Sequence, residues 1–241
     1  MESMDEAAAM QAFVEHMLTY TIRLVRAKPN EWPFGIASGF VIPVAGRYRI
    51  VSAGHAIAAA SNWVMETVPE SETETLMLII KAVHSVAKIP RRDKTNSLDL
   101  AWADLNPEEL KEQLAKAPKK PRTDLELPTY IAPLDAVPDP ETAYGFAAWN
   151  NVEAHPMIST LRRESRYEFA MRFVGIHPKN KLYLFEPARE FQGHEYYEGA
   201  SGAPIADPNG LIISMLVGGD RDEKYLWGVP LAKHAKKLTA P

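Results

Sequence analysis

The feature of this chain that most constrains its fold is its punctuation. Runs of β-branched and aromatic residues last only a few positions before proline, glycine or asparagine interrupts them. Residues 21–25 read as a strand ended by Lys28-Pro29-Asn30, and residues 40–42 and 49–51 as strands either side of Pro43-Val44-Ala45-Gly46. Residues 75–88 read as one or two more, and residues 98–103 as another. The same character returns at 142–149, 167–176, 181–185, 211–217 and 226–229. Many short strands with turn signals between them predict an all-β protein, built as barrels or a sandwich.

Three segments break this pattern. Ser3-x-x-Glu6 matches a capping box, and Met10, Phe13, Val14, Met17 and Leu18 then share one helical face, so residues 4–18 are predicted to be a helix packed on the body. Asn106-Pro107 opens a charged helical stretch to residue 117, followed by a proline-rich linker over 118–128 that marks a domain boundary. Pro230 opens a short helix over 231–238, with lysines near its end where the helix dipole favours them.

At 241 residues the chain can build one large domain or two small barrels around separate cores. Its net charge of -4 and the lack of a basic stripe with interleaved aromatics argue against a nucleic-acid partner. The short patch Lys119-Lys120-Pro121-Arg122 reads as solvated linker. There is no cysteine, which excludes disulfides and thiolate metal sites. The acidic N-terminus lacks a secretory profile and no stretch has the apolar length of a membrane span. The expectation is therefore a cytoplasmic protein without a membrane partner.

The stretch with the clearest chemical content is Glu198-Gly199-Ala200-Ser201-Gly202-Ala203-Pro204, a small-residue turn with one hydroxyl at its centre. A glycine two positions before a serine lets two backbone N–H groups converge on one point, as the developing oxyanion of acyl transfer requires. Upstream, Ile50-Val51-Ser52-Ala53-Gly54-His55 ends a β-branched run in small residues and an imidazole. Leu98-Asp99-Leu100-Ala101-Trp102 sets one carboxylate inside an apolar strand, where desolvation obliges it to find a partner. Taken singly, these features also fit a hairpin loop, a packed structural histidine, and a cap or ion pair.

Taken together, the three stretches resemble the trypsin-like (chymotrypsin-fold) serine peptidases, particularly their cysteine-free bacterial branch. Histidine, aspartate and serine occur in that family's order, separated by 44 and 102 residues. Ser38-Gly39-Phe40-Val41, Tyr144-Gly145-Phe146, Val217-Gly218-Gly219 and Trp227-Gly228-Val229-Pro230 add to the likeness, which covers about residues 20–238. The resemblance implies two antiparallel β-barrels with the cleft between them. The chain then divides into an N-terminal helix (1–18), a first barrel (19–105), a helical insertion and linker (106–130), a second barrel (131–230) and a C-terminal helix (231–241). It implies a serine endopeptidase acting on a protein or peptide, with His55, Asp99 and Ser201 as triad and the N–H groups of Gly199 and Ser201 as oxyanion hole. No cofactor and no metal are expected; a regulatory protein partner is compatible with it. The rival function for such a double barrel is a catalytically silent binding module.

Specificity follows from the same likeness. The residue six before the serine, Glu195, would lie at the base of the primary pocket, with Val217, Gly218 and Gly219 as its wall. A buried glutamate there favours a Lys or Arg side chain, whereas a rebuilt loop would turn Glu195 to water. The family's secreted members carry an aspartate just before the serine, which pairs with a newly cut N-terminus. That position here is Ala200, so the uncut chain is expected to have a formed site without such a pair, or to acquire one through a partner or substrate. His194-Glu195-Tyr196-Tyr197-Glu198 imitates a zinc-peptidase helix but ends in glutamate, and His234 lies after the serine as an α/β-hydrolase would require.

Overall fold

The apolar positions of the first segment recur every three or four residues, and Met4–Tyr20 is a helix, α1, in the computed structural model. The structure describes residues 4–26, 35–57, 63–66, 77–80, 84–85, 99–115, 127–155, 160–220 and 224–241. Ser3 of the capping box, the Lys28-Pro29-Asn30 turn, Leu98 and the basic patch at 119–122 lie outside them.

From Thr21 the period falls to two and the chain becomes a strand without any linker, β1 (Thr21–Arg26). A hairpin follows, β2 (Gly35–Val44) and β3 (Arg47–Ser52). Ala45 and Gly46 both take positive φ, 48° and 78°, which matches the two-residue turn to the strands' twist. One helical turn, α2 (Gly54–Ile57), leads to β4 (Trp63–Glu66), β5 (Met77–Ile80), β6 (His84–Ser85) and β7 (Ala101–Leu105). These seven strands form one antiparallel sheet in the order β5-β4-β1-β2-β3-β7-β6, rolled into a nearly closed barrel. The helix α3 (Pro107–Ala115) follows, with Asn106 accepting from the Glu108 N–H at 3.0 Å.

The second half is a closed six-stranded barrel in the order β10-β13-β12-β11-β8-β9. Its strands are β8 (Ala143–His155), β9 (Thr160–Ile176), β10 (Tyr183–Glu186), β11 (Pro204–Ala206), β12 (Ile212–Asp220) and β13 (Tyr225–Pro230). The chain closes with a 3₁₀ turn, Leu231–Lys233, and a short helix, α4 (Ala235–Leu238), so the single helix expected after Pro230 is broken at His234. Two antiparallel β-barrels with few helices make this a chymotrypsin-like double barrel. β8 and β9 run further than their apolar positions suggest, because among the described residues their outer ends, from Asn150↔Glu164 to His155↔Thr160, pair only with each other. A two-stranded ribbon has no second layer to enforce alternation.

The core is not two separate interiors. One cluster fills the first barrel, around Leu24, Ile50, Met65 and Leu78, and another the second, around Phe146, Phe185 and Ile213. A third lies between them and draws Phe13 and Met17 from α1, Phe40 and Val51 from the first barrel, and Ala147, Met215 and Val229 from the second. Met17 is wholly buried, a contribution of about 1.5–3 kcal/mol. Gly145 is required here, since a Cβ would stand 2.6 Å from the Phe13 ring. Thr21 Oγ1 donates to the Ala147 carbonyl at 3.0 Å, tying the end of α1 to the second barrel.

Candidate active site

The register of the first barrel brings His55 and Asp99 together. Ser52 on β3 pairs with Ala101 on β7, so the chain just beyond β3 faces the chain just before β7. The Ala53 carbonyl accepts from the N–H groups of Ala56 and Ile57, winding α2 and turning His55 outward. Asp99 precedes β7 rather than lying inside a strand, which corrects the sequence reading. Only off the ladder is its carboxylate free to turn sideways. One oxygen, Oδ1, accepts from the His55 backbone N–H at 2.6 Å, and the other, Oδ2, bonds to the ring's Nδ1. An ionised carboxylate only accepts, so Nδ1 carries the proton and Nε2 is left as an acceptor. Nε2 stands 3.1 Å from Ser201 Oγ. The imidazole side chain is 49% exposed and the carboxylate 21%, so the ring is reachable while its anchor is shielded.

Ser201 sits in a turn that uses glycine where sterics demand it. Gly199 and Gly202 take φ of 83° and 97°. The Gly202 N–H donates to the Leu216 carbonyl at 2.7 Å, joining the turn to β12. The first barrel holds it from the other side: the Ser38 N–H donates to the Ser201 carbonyl at 2.9 Å, and Ser38 Oγ donates to the Gly199 carbonyl at 2.9 Å. Ser38 is thus a clamp between barrels. Its sequence stretch carries likeness to a family but no spacing rule that foretells this contact. The N–H of Ala200 donates to the Tyr197 carbonyl, while those of Gly199 and Ser201 have no backbone acceptor among the described residues.

A cavity of about 570 Å³ opens beside the His55–Ser201 pair. Val217, Gly218 and Gly219 line it, with Leu226 and Trp227 from the neighbouring β13. The register slips between Leu216 and Gly218, a bulge that bends β12 at this wall. Gly219 has no room for a side chain, because a Cβ would meet the Tyr225 carbonyl at 2.9 Å and the Phe191 ring at 3.0 Å. Glu195 lines the same cavity but is exposed, so it is no buried counter-charge, and the first of the two sequence readings is corrected. Apolar surface dominates the walls.

The remaining sequence candidates fall elsewhere. His194 is exposed in a series of turns, not on a helix, and among the described residues no group of three His, Cys, Asp or Glu side chains is placed to hold a metal. His234 lies at the turn into α4, outside the residues that line the cavity; burial holds its pKa below the usual value, helped by Lys233 and Lys237. Sequence reasoning missed a second buried polar pair, Tyr197 and Glu168, whose phenol donates to the carboxylate at 2.8 Å just ahead of the serine turn. Twenty-nine residues separate the two, and no motif links them.

Neither family models nor curated protein sequences match the chain. Its fold, however, is shared with many solved structures. Neuropsin, a serine protease expressed in the limbic system of mouse brain, superposes with a TM-score of 0.60 at 10% identity, over 91% of this chain and 92% of that one. Human heparin binding protein gives 0.61 at 12% identity, over 91% and 89%. An inactivated protease paralogue of the scabies mite gives 0.59 at 11%, over 94% and 92%. At such identities the likeness is one of fold, and the fold is that of the trypsin-like serine proteases. One of these three neighbours is described as inactivated, so activity has to be argued from the side chains.

Proposed function

We propose that this protein is a serine endopeptidase that cleaves peptide bonds through an acyl-enzyme. The observation that carries the reading is the line Asp99–His55–Ser201, with Nε2 3.1 Å from Oγ and Nδ1 held by the carboxylate. Oγ attacks the scissile carbonyl carbon as His55 Nε2 takes its proton, and the imidazolium then protonates the leaving amine. Water, deprotonated by the same nitrogen, breaks the ester and restores Ser201. Asp99 fixes the tautomer and stabilises the imidazolium, since it grips both the ring and the backbone of His55. The N–H groups of Gly199 and Ser201 are the available donors for the tetrahedral oxyanion, each worth about 10²–10³ in rate.

The second reading, a silent binding module, draws on the inactivated mite paralogue with the same fold. The geometry favours catalysis, because a scaffold has no use for an oriented imidazole facing an accessible hydroxyl. A fluorophosphonate probe separates the two readings. The full chain is expected to label at Ser201, and Ser201→Ala, His55→Ala and Asp99→Ala should each abolish most labelling and turnover, far from additively in combination. A folded wild-type chain that neither labels nor turns over a panel of peptide and ester substrates would leave the binding module as the answer.

A further inference from the structure

The serine turn is held unequally along its length. Its downstream half is fastened to both barrels, through Ser38 and through the Leu216 carbonyl. Its upstream half, from His194 to Ala200, contains no strand, and apart from the Ser38 Oγ bond to the Gly199 carbonyl its backbone bonds are local. Tyr197 N–H donates to the His194 carbonyl, Glu198 N–H to Glu195 and Ala200 N–H to Tyr197. Bonds three residues apart shape a turn without fixing where it sits. Ala200, next to the serine, is fully buried and offers no polar side chain.

The Tyr197 side chain enters the second barrel at this point. It is 8% exposed, with its ring 6.2 Å from Phe146 and 5.2 Å from Phe191, and its phenol donates to Glu168 Oε1 on β9 at 2.8 Å. Glu168 is 5% exposed. Burial pushes this carboxyl upward, against the Tyr197 hydrogen bond and the charge of Arg189. Burial also drives the Tyr197 phenol far upward, with the Glu168 charge second, so the phenol keeps its proton and donates. An apolar pair of similar shape would fill this space at less desolvation cost. Packing alone does not account for a carboxylate here.

We propose that Tyr197 and Glu168 are positioning residues for the peptidase reaction, a tether that sets the plane of the peptide groups presenting the Gly199 and Ser201 N–H donors. The connection is short. Glu168 fixes the phenol, the ring fixes the Tyr197 backbone, and the Tyr197 carbonyl takes the Ala200 N–H at 3.0 Å. With that amide turned inward, those on either side of it remain for substrate. Such a tether holds the stretch before Gly199, as Ser38 holds the turn from Gly199 to Ser201. It rests on the peptidase reading given above.

The test compares the full chain with Tyr197→Phe, Glu168→Leu, their double variant and Glu168→Gln. Phenylalanine keeps the ring and removes the hydroxyl, with its bonds to Glu168 and to the Gln192 backbone, and glutamine still accepts through its amide oxygen. Tyr197→Phe and Glu168→Leu are expected to lower kcat and the fluorophosphonate labelling rate about tenfold, with KM within about twofold. The double variant should be no slower than either single one, and Glu168→Gln should recover most of the rate. Folded variants with wild-type kcat, or losses that simply add, would overturn the tether. If the wild-type chain does not label, the peptidase reading has failed, and amide exchange then decides the tether by itself. Exchange at Ala200 should quicken about tenfold in Tyr197→Phe, and unchanged exchange would refute the proposal.

Discussion

Gly202 offers the sharpest test of how the serine turn is built. A Cβ at this position would lie 1.9 Å from the Ser38 carbonyl oxygen and 2.4 Å from Ser52 Oγ. That carbonyl already accepts from Ser52 Oγ at 2.6 Å, and Ser38 is paired with Arg23 on β1, so it is held on both sides. To reach even the tightest real contact of 3.0 Å, the alanine of Gly202→Ala must part from Ser38 by about 1 Å. The left-handed φ of 97° adds about 1–2 kcal/mol for any L side chain. Straining both Ser38 bonds to the turn costs about 1 kcal/mol apiece, so the variant should lose about 3–4 kcal/mol. For a chain of this length that is a fall in Tm of about 10 °C. A displacement of about 1 Å between Ser201 and His55 should also slow fluorophosphonate labelling about 100-fold. Gly46→Ala is the control: its φ is 78°, nothing lies within 4 Å of its Cβ, and it should label at the wild-type rate. A Gly202→Ala protein that melts within about 2 °C of wild type and labels normally would refute this account of the turn.

Three other outcomes follow from buried polar contacts. Ser38→Ala leaves the Gly199 carbonyl without its 2.9 Å donor and should cost about 1–3 kcal/mol in chemical denaturation, with slower labelling. The pKa of Glu168 is raised by burial, so its favourable contribution is complete below its ordinary value of 4.5 and is lost as pH rises through the raised one. Glu168→Gln, which keeps Tyr197, Arg189 and Tyr196 around the site, should flatten that part of the Tm–pH curve. Arg49 holds Asp104 with two bonds, at 2.6 and 3.0 Å, and the carbonyls of Leu238 and Ala240 at 2.7 and 3.0 Å. Arg49→Met should therefore free the C-terminal turn, seen as faster exchange at residues 235–239 and a loss of about 2–3 kcal/mol.

Where local chemistry decides, the sequence was informative. β-branched residues between turn signals mark β1 and β3, small residues mark the serine turn, and the order of His55, Asp99 and Ser201 sets the three side chains that the fold gathers. Where tertiary partners decide, it was silent. The strand β4 went unread because it is four residues long and ends in Glu66, a charge that sheet position alone explains. Glu66 pairs with Arg23 across the ladder at 2.6 Å with both side chains buried. β11 is only three residues and begins with proline, which strand propensity disfavours. The apolar neighbours of Asp99 predict a strand through it, yet its carboxylate reaches His55 from just off the ladder. Glu168 reads as one more charged residue of an exposed strand, and only the barrel's closure buries it against Tyr197.

The position of α1 has a consequence for the order of events during synthesis. Its apolar face is complete before any of the second barrel exists, and the carbonyl that receives Thr21 Oγ1 belongs to Ala147, 126 residues later. At roughly 5–20 residues per second the ribosome needs about 6–25 s to cover that distance. Throughout it, Phe13, Val14 and Met17 have no finished surface to land on, since the cluster that buries them needs Ala147, Met215 and Val229. α1, made before either barrel, is therefore among the last pieces to dock. During that interval its bare face is the natural handle for a chaperone, and the most exposed route to aggregation.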